Sequence, residues 1–198
     1  MIIMIEGPRG VGKSTLVDNY FKENTRDDII YYKFAFSDYI KNLGFEDQEK
    51  GPGVHYFSIS NIITILEISN TILKDKHVIF DRSIFSAYVW SIFRNRMPKN
   101  RLMVEFYNIL KSPIYRDCKL VSVENPDGHV PSLRDKSDIF NKYESFEEES
   151  KIYSEVFSVY TEQINNQFKG NFGYKFINNK NDNSIREFNN LINSIVDK

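Results

Sequence analysis

The residues from Gly7 to Thr15 form a phosphate-binding motif. They fit the spacing G-x-x-x-x-G-K-[ST] between a short apolar run and the start of a helical stretch. Glycines let the backbone of such a loop approach a ligand closely, and amide N–H groups at the helix start bind phosphate oxygens. We expect the whole loop to contact ATP: Gly7, Pro8, Arg9, Gly10, Val11, Gly12, Lys13, Ser14 and Thr15. Lys13 is expected at the β- and γ-phosphates and the Ser14 hydroxyl at Mg²⁺.

A second segment with chemistry runs from Val78 to Ser86. Its apolar strand ends in Asp81-Arg82. An acid at the carboxyl end of a parallel strand lies at the sheet edge where open α/β folds bind ligands. We therefore expect Asp81 to act on Mg²⁺ or its waters. The Arg82 guanidinium suits a second anionic group.

Apolar, strand-like runs alternate with helical stretches along the chain. This alternation predicts an α/β, three-layer P-loop NTPase fold with a five-stranded parallel sheet and helices on both faces. The predicted strands are 1–6, 29–34, 77–81, 119–124 and 173–177, and the predicted helices are 13–24, 36–43, 55–74, 83–95, 99–111, 141–167 and 183–196.

Two polar stretches fall outside this core. They are 44–53 and 125–140, and the second is expected to be a short lid that carries Arg134 and Lys136. The length of 198 residues fits a single domain, 1–198, that includes this lid.

The helix over 55–74 is apolar around most of its circumference, which indicates burial on several sides. We expect one of its faces to form a homodimer interface.

The composition narrows the classes of partner. A net charge of −1 and a pI near 6.3 give no general reason to bind nucleic acid or an anionic membrane. No apolar stretch is long enough to span a bilayer, and the first residues lack the features of a secretory leader. The single cysteine, Cys118, excludes an internal disulfide, and its place before an apolar run indicates a buried thiol. A cytoplasmic protein is expected.

These segments resemble thymidylate kinases. The run from Ile5 to Thr15 is similar to that family's first strand and phosphate loop, and the run from Asp81 to Ser86 is similar to its D-R-[YF]-x-x-S segment. Shorter similarities follow in order along the chain: Tyr32-Lys33-Phe34, Val54-His55 and Lys142-Tyr143-Glu144.

The resemblance implies a nucleoside monophosphate kinase that transfers the γ-phosphoryl group of ATP to a deoxynucleoside monophosphate. Arg82 and Lys33 would bind the acceptor phosphate. The cations Lys13, Arg134 and Lys136 would stabilise the transferring group, with Mg²⁺ on Ser14 and Asp81. Arg9 would add a further charge, but the family usually has an acid at that position, so an Arg9 that faces solvent or binds the substrate is an equal alternative. Phe57, Phe85 and Trp90 are candidates for stacking on the base.

Two positions depart from the family pattern. The family reads its pyrimidine with an arginine on the apolar helix, and Asn61 or Ile62 stands there in this chain. Ser91 replaces the usual Gln or Thr after the aromatic pair. Because polar readout carries most discrimination between bases, the acceptor base stays open.

Deoxynucleoside kinases are the close alternative. Their E-R-S-x-x-S segment fits Asp81 to Ser86 about as well. They use a carboxylate base just after the second strand, because a 5′-hydroxyl is a weak nucleophile. Here the end of that strand and the residues after it, from Tyr31 to Ser37, contain Lys33 and no carboxylate, and Asp38 is the first one that follows. Asp81 is the other candidate for such a base. A polynucleotide 5′-kinase, a hydrolytic P-loop ATPase and a non-catalytic nucleotide-binding module are further alternatives.

Overall fold

Five parallel strands form the centre of the protein in a computed structural model that describes residues 1–33, 52–126, 146–169 and 171–197. The strands are β1 (Ile2–Glu6), β2 (Ile29–Lys33), β3 (His77–Asp81), β4 (Cys118–Glu124) and β5 (Gly173–Ile177). Their order in the sheet is β2-β3-β1-β4-β5, and every neighbouring pair is parallel. β1 therefore lies at the centre, and its carboxyl end leads directly into the phosphate loop.

Helices cover both faces of the sheet. In chain order they are α1 (Lys13–Glu23), α2 (Pro52–Ile72), α3 (Ile84–Phe93), α4 (Lys99–Ile109), α5 (Phe146–Phe168) and α6 (Asp182–Val196). α1 and α6 pack with one face of the sheet, where Ile3, Ile5 and Ile79 contribute to the core. The helices α2 to α5 cover the opposite face around Met4 and Phe80.

The strand register brings the two motifs to the same edge of the sheet. Ile5 of β1 pairs with Asp81 of β3, and Lys33 of β2 pairs with Asp81 on its other side. Neighbours in register on parallel strands project to the same face, so Lys33 and Asp81 share the α1 face. Glu6 follows Ile5 and projects to the other face.

The predicted fold class is confirmed. All five predicted strands are present, each within one residue of its observed ends. The predicted helices are also present, except that 36–43 lies outside the described residues. Continuous apolar runs carried these predictions, because a strand buried on both faces has no polar alternation.

Helix boundaries show where local reasoning was less accurate. α2 begins at Pro52, within the stretch assigned to a polar break, because proline is well tolerated in the first turn of a helix. α5 begins at Phe146 in the structure, and most of the predicted lid, together with 141–145, lies outside the described residues. A 3₁₀ helix, Pro113–Asp117, was not predicted.

α2 buries one face and exposes another. Val54, Ile59 and Leu66 belong to the core, whereas Ile68 is 45% and Ile72 is 73% exposed. The described helices include none that is long and apolar enough to cross a membrane. Cys118 is buried as predicted and donates to the carbonyl oxygen of Ile114 at 3.3 Å.

Candidate active site

The phosphate loop requires glycine at two positions for steric reasons. A Cβ on Gly7, whose φ is +143°, would lie 2.2 Å from the carbonyl oxygen of Val123. A Cβ on Gly12, whose φ is +89°, would lie 2.5 Å from Nδ2 of Asn178. Asn178 donates from that nitrogen to the carbonyl oxygen of Val11 at 2.7 Å. The turn after β5 therefore holds the loop from one side.

Lys13 lies folded into the loop. Its Nζ donates to the carbonyl oxygens of Gly7 at 2.8 Å and Pro8 at 2.6 Å, and the residue is only 5% exposed. Burial, and after it the positive charge of Arg82, lower the pKa of Lys13 to about 7. A phosphate group would offer this lysine a charged partner in place of two carbonyl oxygens.

Ser14 and Asp81 meet as the sequence predicts for a magnesium site. Ser14 Oγ donates to Asp81 Oδ2 at 2.5 Å, and the Tyr31 hydroxyl donates to the same oxygen at 3.3 Å. The other oxygen, Asp81 Oδ1, is buried and accepts no hydrogen bond from the described residues. A hydroxyl and a buried carboxylate are ligands that suit Mg²⁺. In the described part of the chain, no group of three or more His, Cys, Asp or Glu side chains could hold a metal. Phosphate and water would complete the coordination.

Arg82 has an unusual backbone conformation. Its φ is +75°, which costs a non-glycine residue about 1–3 kcal/mol. Its amide donates to Ile5 O at 3.1 Å, so it extends the β1–β3 ladder. Its Nη1 lies 3.3 Å from both Ser86 Oγ and Tyr153 Oη. The turn thus directs the guanidinium across the start of α3 toward α5.

Glu6 is a residue of this site that the sequence analysis did not assign. It is 2% exposed, and Oε1 accepts hydrogen bonds from the Ser83 amide at 2.5 Å and the Ser83 hydroxyl at 2.8 Å. Oε2 accepts from the Ser86 hydroxyl at 2.6 Å. Burial raises the pKa of Glu6, although Ser86, Arg82 and Ser83 act in the opposite direction. The first turn of α3 is therefore tied to β1 through one carboxylate. A glutamate at the end of a buried strand was the signal available in the sequence.

Arg9 is held between two helices. Its amide donates to Glu149 Oε1 at 3.1 Å and its Nε donates to Glu149 Oε2 at 3.2 Å. Its guanidinium carbon lies 4.4 Å from the centroid of the Trp90 ring. The Arg94 guanidinium carbon lies 5.3 Å from the same centroid. The charge run around Glu149 predicts a solvated helix face, and this prediction is wrong for Glu149, which is 1% exposed because it faces Arg9.

Trp90 is half-buried, and its ring contacts Arg9 and Arg94, so cations occupy the surface that was assigned to a base. Phe57 and Asn61 are half-buried on α2, and Asn61 Nδ2 donates to the Phe57 carbonyl oxygen at 2.8 Å.

The prediction that Phe85 stacks on a base is wrong. Phe85 is 1% exposed and belongs to the core. Its ring packs edge-on against Phe106 and Tyr160, with centroids 5.3 Å and 4.8 Å away. The ring is not open to a base, because it lies on the face of α3 that packs into the core. Hydrophobic residue type alone did not distinguish a pocket wall from the core.

The remaining candidates from the sequence are either described by the structure or lie outside the described residues. Gly10 has a φ of +75°, Val11 is buried, and Thr15 and Lys33 are exposed at the sheet edge. His55, part of the Val54-His55 similarity, is fully buried, and its ring nitrogens are hydrogen-bonded to Ser91 and Glu105. The candidates Phe34, Asp38, Arg134, Lys136 and Lys142-Tyr143-Glu144 lie outside the described part of the chain.

The low pKa of Lys13 predicts a pH-dependent cost to stability in the ligand-free protein. Unfolded Lys13 titrates near 10.5 and folded Lys13 near 7, so between these values the unfolded chain binds more protons. The contribution of Lys13 to folding stability therefore rises with pH across this window. We expect Lys13→Met to gain stability over the wild type at pH 6.5. This advantage should shrink by up to about 1.4 kcal/mol per pH unit between pH 7 and 10.

Urea unfolding of both proteins across this pH range measures the effect. Lys22→Met, an exposed change on the same helix, is the matched control and should leave the pH profile parallel to that of the wild type. A parallel profile for Lys13→Met as well would contradict the low pKa of the buried lysine.

Comparison with known proteins agrees with this geometry. A protein family described as an AAA domain matches residues 1–82, which include the phosphate loop and Asp81-Arg82. No curated protein sequence matches the chain.

Two solved structures have folds similar to that of this chain. A structure described as NadR protein in complex with NR superposes with a TM-score of 0.65 at 11% identity and covers 100% of this chain. This chain spans about half, 52%, of the NadR chain. A deoxyadenosine kinase from M. mycoides with bound dCTP superposes with a TM-score of 0.48 at 19% identity, covering 98% of this chain and 100% of that one. The likeness to solved structures supports the fold: the chain has an α/β P-loop NTPase fold with a five-stranded parallel sheet.

Proposed function

We propose that the chain is a nucleoside monophosphate kinase, similar to thymidylate kinases, that transfers the γ-phosphoryl group of ATP to a deoxynucleoside monophosphate. The observation that carries this proposal is the place of Arg82. Its guanidinium is near enough to the buried Lys13 for its positive charge to lower the lysine pKa. Two cations close to the carboxyl ends of β1 and β3 suit two phosphate groups that meet there.

The donor side of the proposal rests on the loop between Gly7 and Thr15. Lys13 would exchange its two carbonyl partners for phosphate oxygens. Ser14 and Asp81 would hold Mg²⁺, which supplies charge stabilisation to the triphosphate when it is bound. The chain's own contribution is to bury these groups and to keep Asp81 oriented through Ser14 and Tyr31.

The acceptor side favours an anion over a hydroxyl. A phosphate monoester has a second pKa of about 6, so its oxygen is already a competent nucleophile near neutral pH and needs no base. β2 ends in Lys33, in register with Asp81, and presents a cation at the edge where an acceptor phosphate would lie. Asp81 is bound to Ser14, which orients it to the metal rather than to a proton on the acceptor.

A deoxynucleoside kinase is the second candidate. The specific observation in its favour is the buried Asp81 Oδ1, which accepts no hydrogen bond from the described residues and would take a proton from a 5′-hydroxyl. The two candidates share the donor site and differ only in the acceptor.

We also propose a homodimer through α2. Ile68 and Ile72 stay exposed on a helix whose other face is buried in the core. A second copy of the chain would cover this face.

The test of the proposed function is ADP release from ATP and Mg²⁺ with a panel of nucleoside monophosphates and free nucleosides. We expect one deoxynucleoside monophosphate to stimulate ADP release strongly. Stimulation by nucleosides alone would establish the second candidate instead. Hydrolysis that no acceptor stimulates would contradict both and favour an ATPase.

Arg82→Ala should reduce kcat/KM for the preferred acceptor by about 10²–10³-fold, because it removes a charged contact to a phosphate in a buried site. ATP binding should change much less. Arg116→Ala is the matched control, since Arg116 is exposed and precedes β4 at the opposite end of the sheet. Near-normal kinetics of Arg82→Ala would remove this arginine from acceptor binding.

Sedimentation velocity tests the homodimer. Ile72→Glu should convert a dimer to monomers, because it places a charge in an apolar contact. Val104→Glu, a similar change at a 62% exposed position on α4, should leave the dimer intact. A wild-type monomer at micromolar concentration would contradict the proposed interface.

A further inference from the structure

We infer that Glu149 and Tyr153 are a pair of positioning residues that hold Arg9 of the donor loop and Arg82 of the acceptor side at a fixed separation. The inference rests on the proposed function, since it concerns how the two halves of that site are joined. The two residues stand four apart on α5, so their side chains lie on the same face of the helix. One helix face therefore contacts both arginines.

The contact at Glu149 restrains the loop in two ways. Its carboxylate accepts one hydrogen bond from the Arg9 backbone and one from the Arg9 side chain. Glu149 is 1% exposed, so the pair is protected from water. The ring of Trp90 lies against the same guanidinium. Backbone and side chain of Arg9 are thus fixed together, which sets the shape of a loop that otherwise contains several flexible glycines.

The contact at Tyr153 restrains Arg82. Burial raises the pKa of the Tyr153 hydroxyl, so it stays neutral and able to donate. The Ser86 hydroxyl donates its hydrogen to Glu6, at 2.6 Å. Tyr153 therefore donates to Ser86 Oγ, at 3.0 Å, and its oxygen accepts from Arg82 Nη1 at 3.3 Å. This hydroxyl links α5, the first turn of α3 and the guanidinium.

Glu149 also compensates the charges on both sides of the site. It bonds to Arg9, and its negative charge acts on Lys13 and on Arg82, where it raises the pKa in both cases. Replacing it with glutamine would leave these cations in place with less compensation. Anion binding would then be retained or tightened, while the alignment of donor and acceptor would be lost. Unchanged or tighter anion binding together with slower transfer is what we expect when a charged residue positions other groups and does not bind the ligand itself.

The experiment compares Glu149→Gln, Tyr153→Phe and the double variant with the wild type. Glu149→Gln should lower kcat about tenfold or more without raising KM for ATP, since small misplacements of reacting groups are costly. Tyr153→Phe should raise KM for the acceptor and leave KM for ATP unchanged. In the double variant the losses should be smaller than the product of the single losses, because the two residues act as one unit.

Matched controls on the same helix are Glu155→Gln, an exposed glutamate that pairs with Lys99, and Tyr160→Phe, a buried tyrosine bonded to the Cys118 carbonyl oxygen. Variants of Glu149 and Tyr153 that behave like these controls would overturn the inference. So would single losses that multiply in the double variant.

Trp90 gives a readout that does not depend on activity. It is the only tryptophan in the chain and contacts Arg9, so its emission reports the position of that guanidinium. Glu149→Gln should shift the emission without any substrate, and Glu149→Asp should restore part of the wild-type spectrum. An unchanged emission spectrum in Glu149→Gln would overturn the inference that Glu149 positions Arg9. If Glu149→Gln shifts the emission as expected but the wild type transfers no phosphoryl group, the proposed function alone would be contradicted.

Discussion

Burial of positive charge is the constraint on which the rest of the site depends. Lys13 is almost fully buried, and Arg9 and Arg82 are largely enclosed where β1 and β3 end. An unpaired buried cation costs several kcal/mol, so each needs a negative partner or a set of oxygen acceptors. The buried carboxylates Glu6, Asp81 and Glu149 meet this need. They come from β1, β3 and α5, and this requirement links elements that are far apart in the chain.

The arrangement also explains why a strained turn persists at Arg82. Its positive φ is unfavourable, yet the turn is fixed on both sides: Ile5 accepts from its amide, and Glu6 accepts from Ser83 immediately after it. The surrounding hydrogen bonds therefore outweigh the strain. The result is a guanidinium that leaves the strand in a direction that extended backbone would not give. Strain at this position is a cost of site geometry, as in many catalytic centres.

The sequence predicted the fold well, because strands buried on both faces are continuous apolar runs. The fixed spacing of the phosphate loop and an acid at a strand end also led directly to Lys13, Ser14 and Asp81 as candidate site residues, and their roles stay predictions. The contacts of Glu149 could not, because it lies 140 residues from Arg9 and its bonds depend on how α5 packs. Glu6 and Ser83 are similarly separated, by 77 residues. Phe85 failed for a related reason: an aromatic residue near a site is equally suited to the core.

The charge balance of the ligand-free site also determines how a ligand would bind. The buried Lys13 and the half-buried Arg9 and Arg82 lie among three buried carboxylates, so the site does not hold a large excess of positive charge before a nucleotide binds. Phosphate binding is then an exchange of partners. Lys13 would give up carbonyl oxygens, and Asp81 would turn from a serine hydroxyl toward a metal ion that accompanies the triphosphate. The released partners are loop carbonyl oxygens and the Ser14 hydroxyl, which all lie at the same edge of the sheet. A change of partner at Lys13 therefore alters the surroundings of Asp81, and a change at Asp81 alters those of Lys13. In the proposed kinase, the donor and acceptor sites would therefore be coupled by electrostatics even where no side chain touches both ligands.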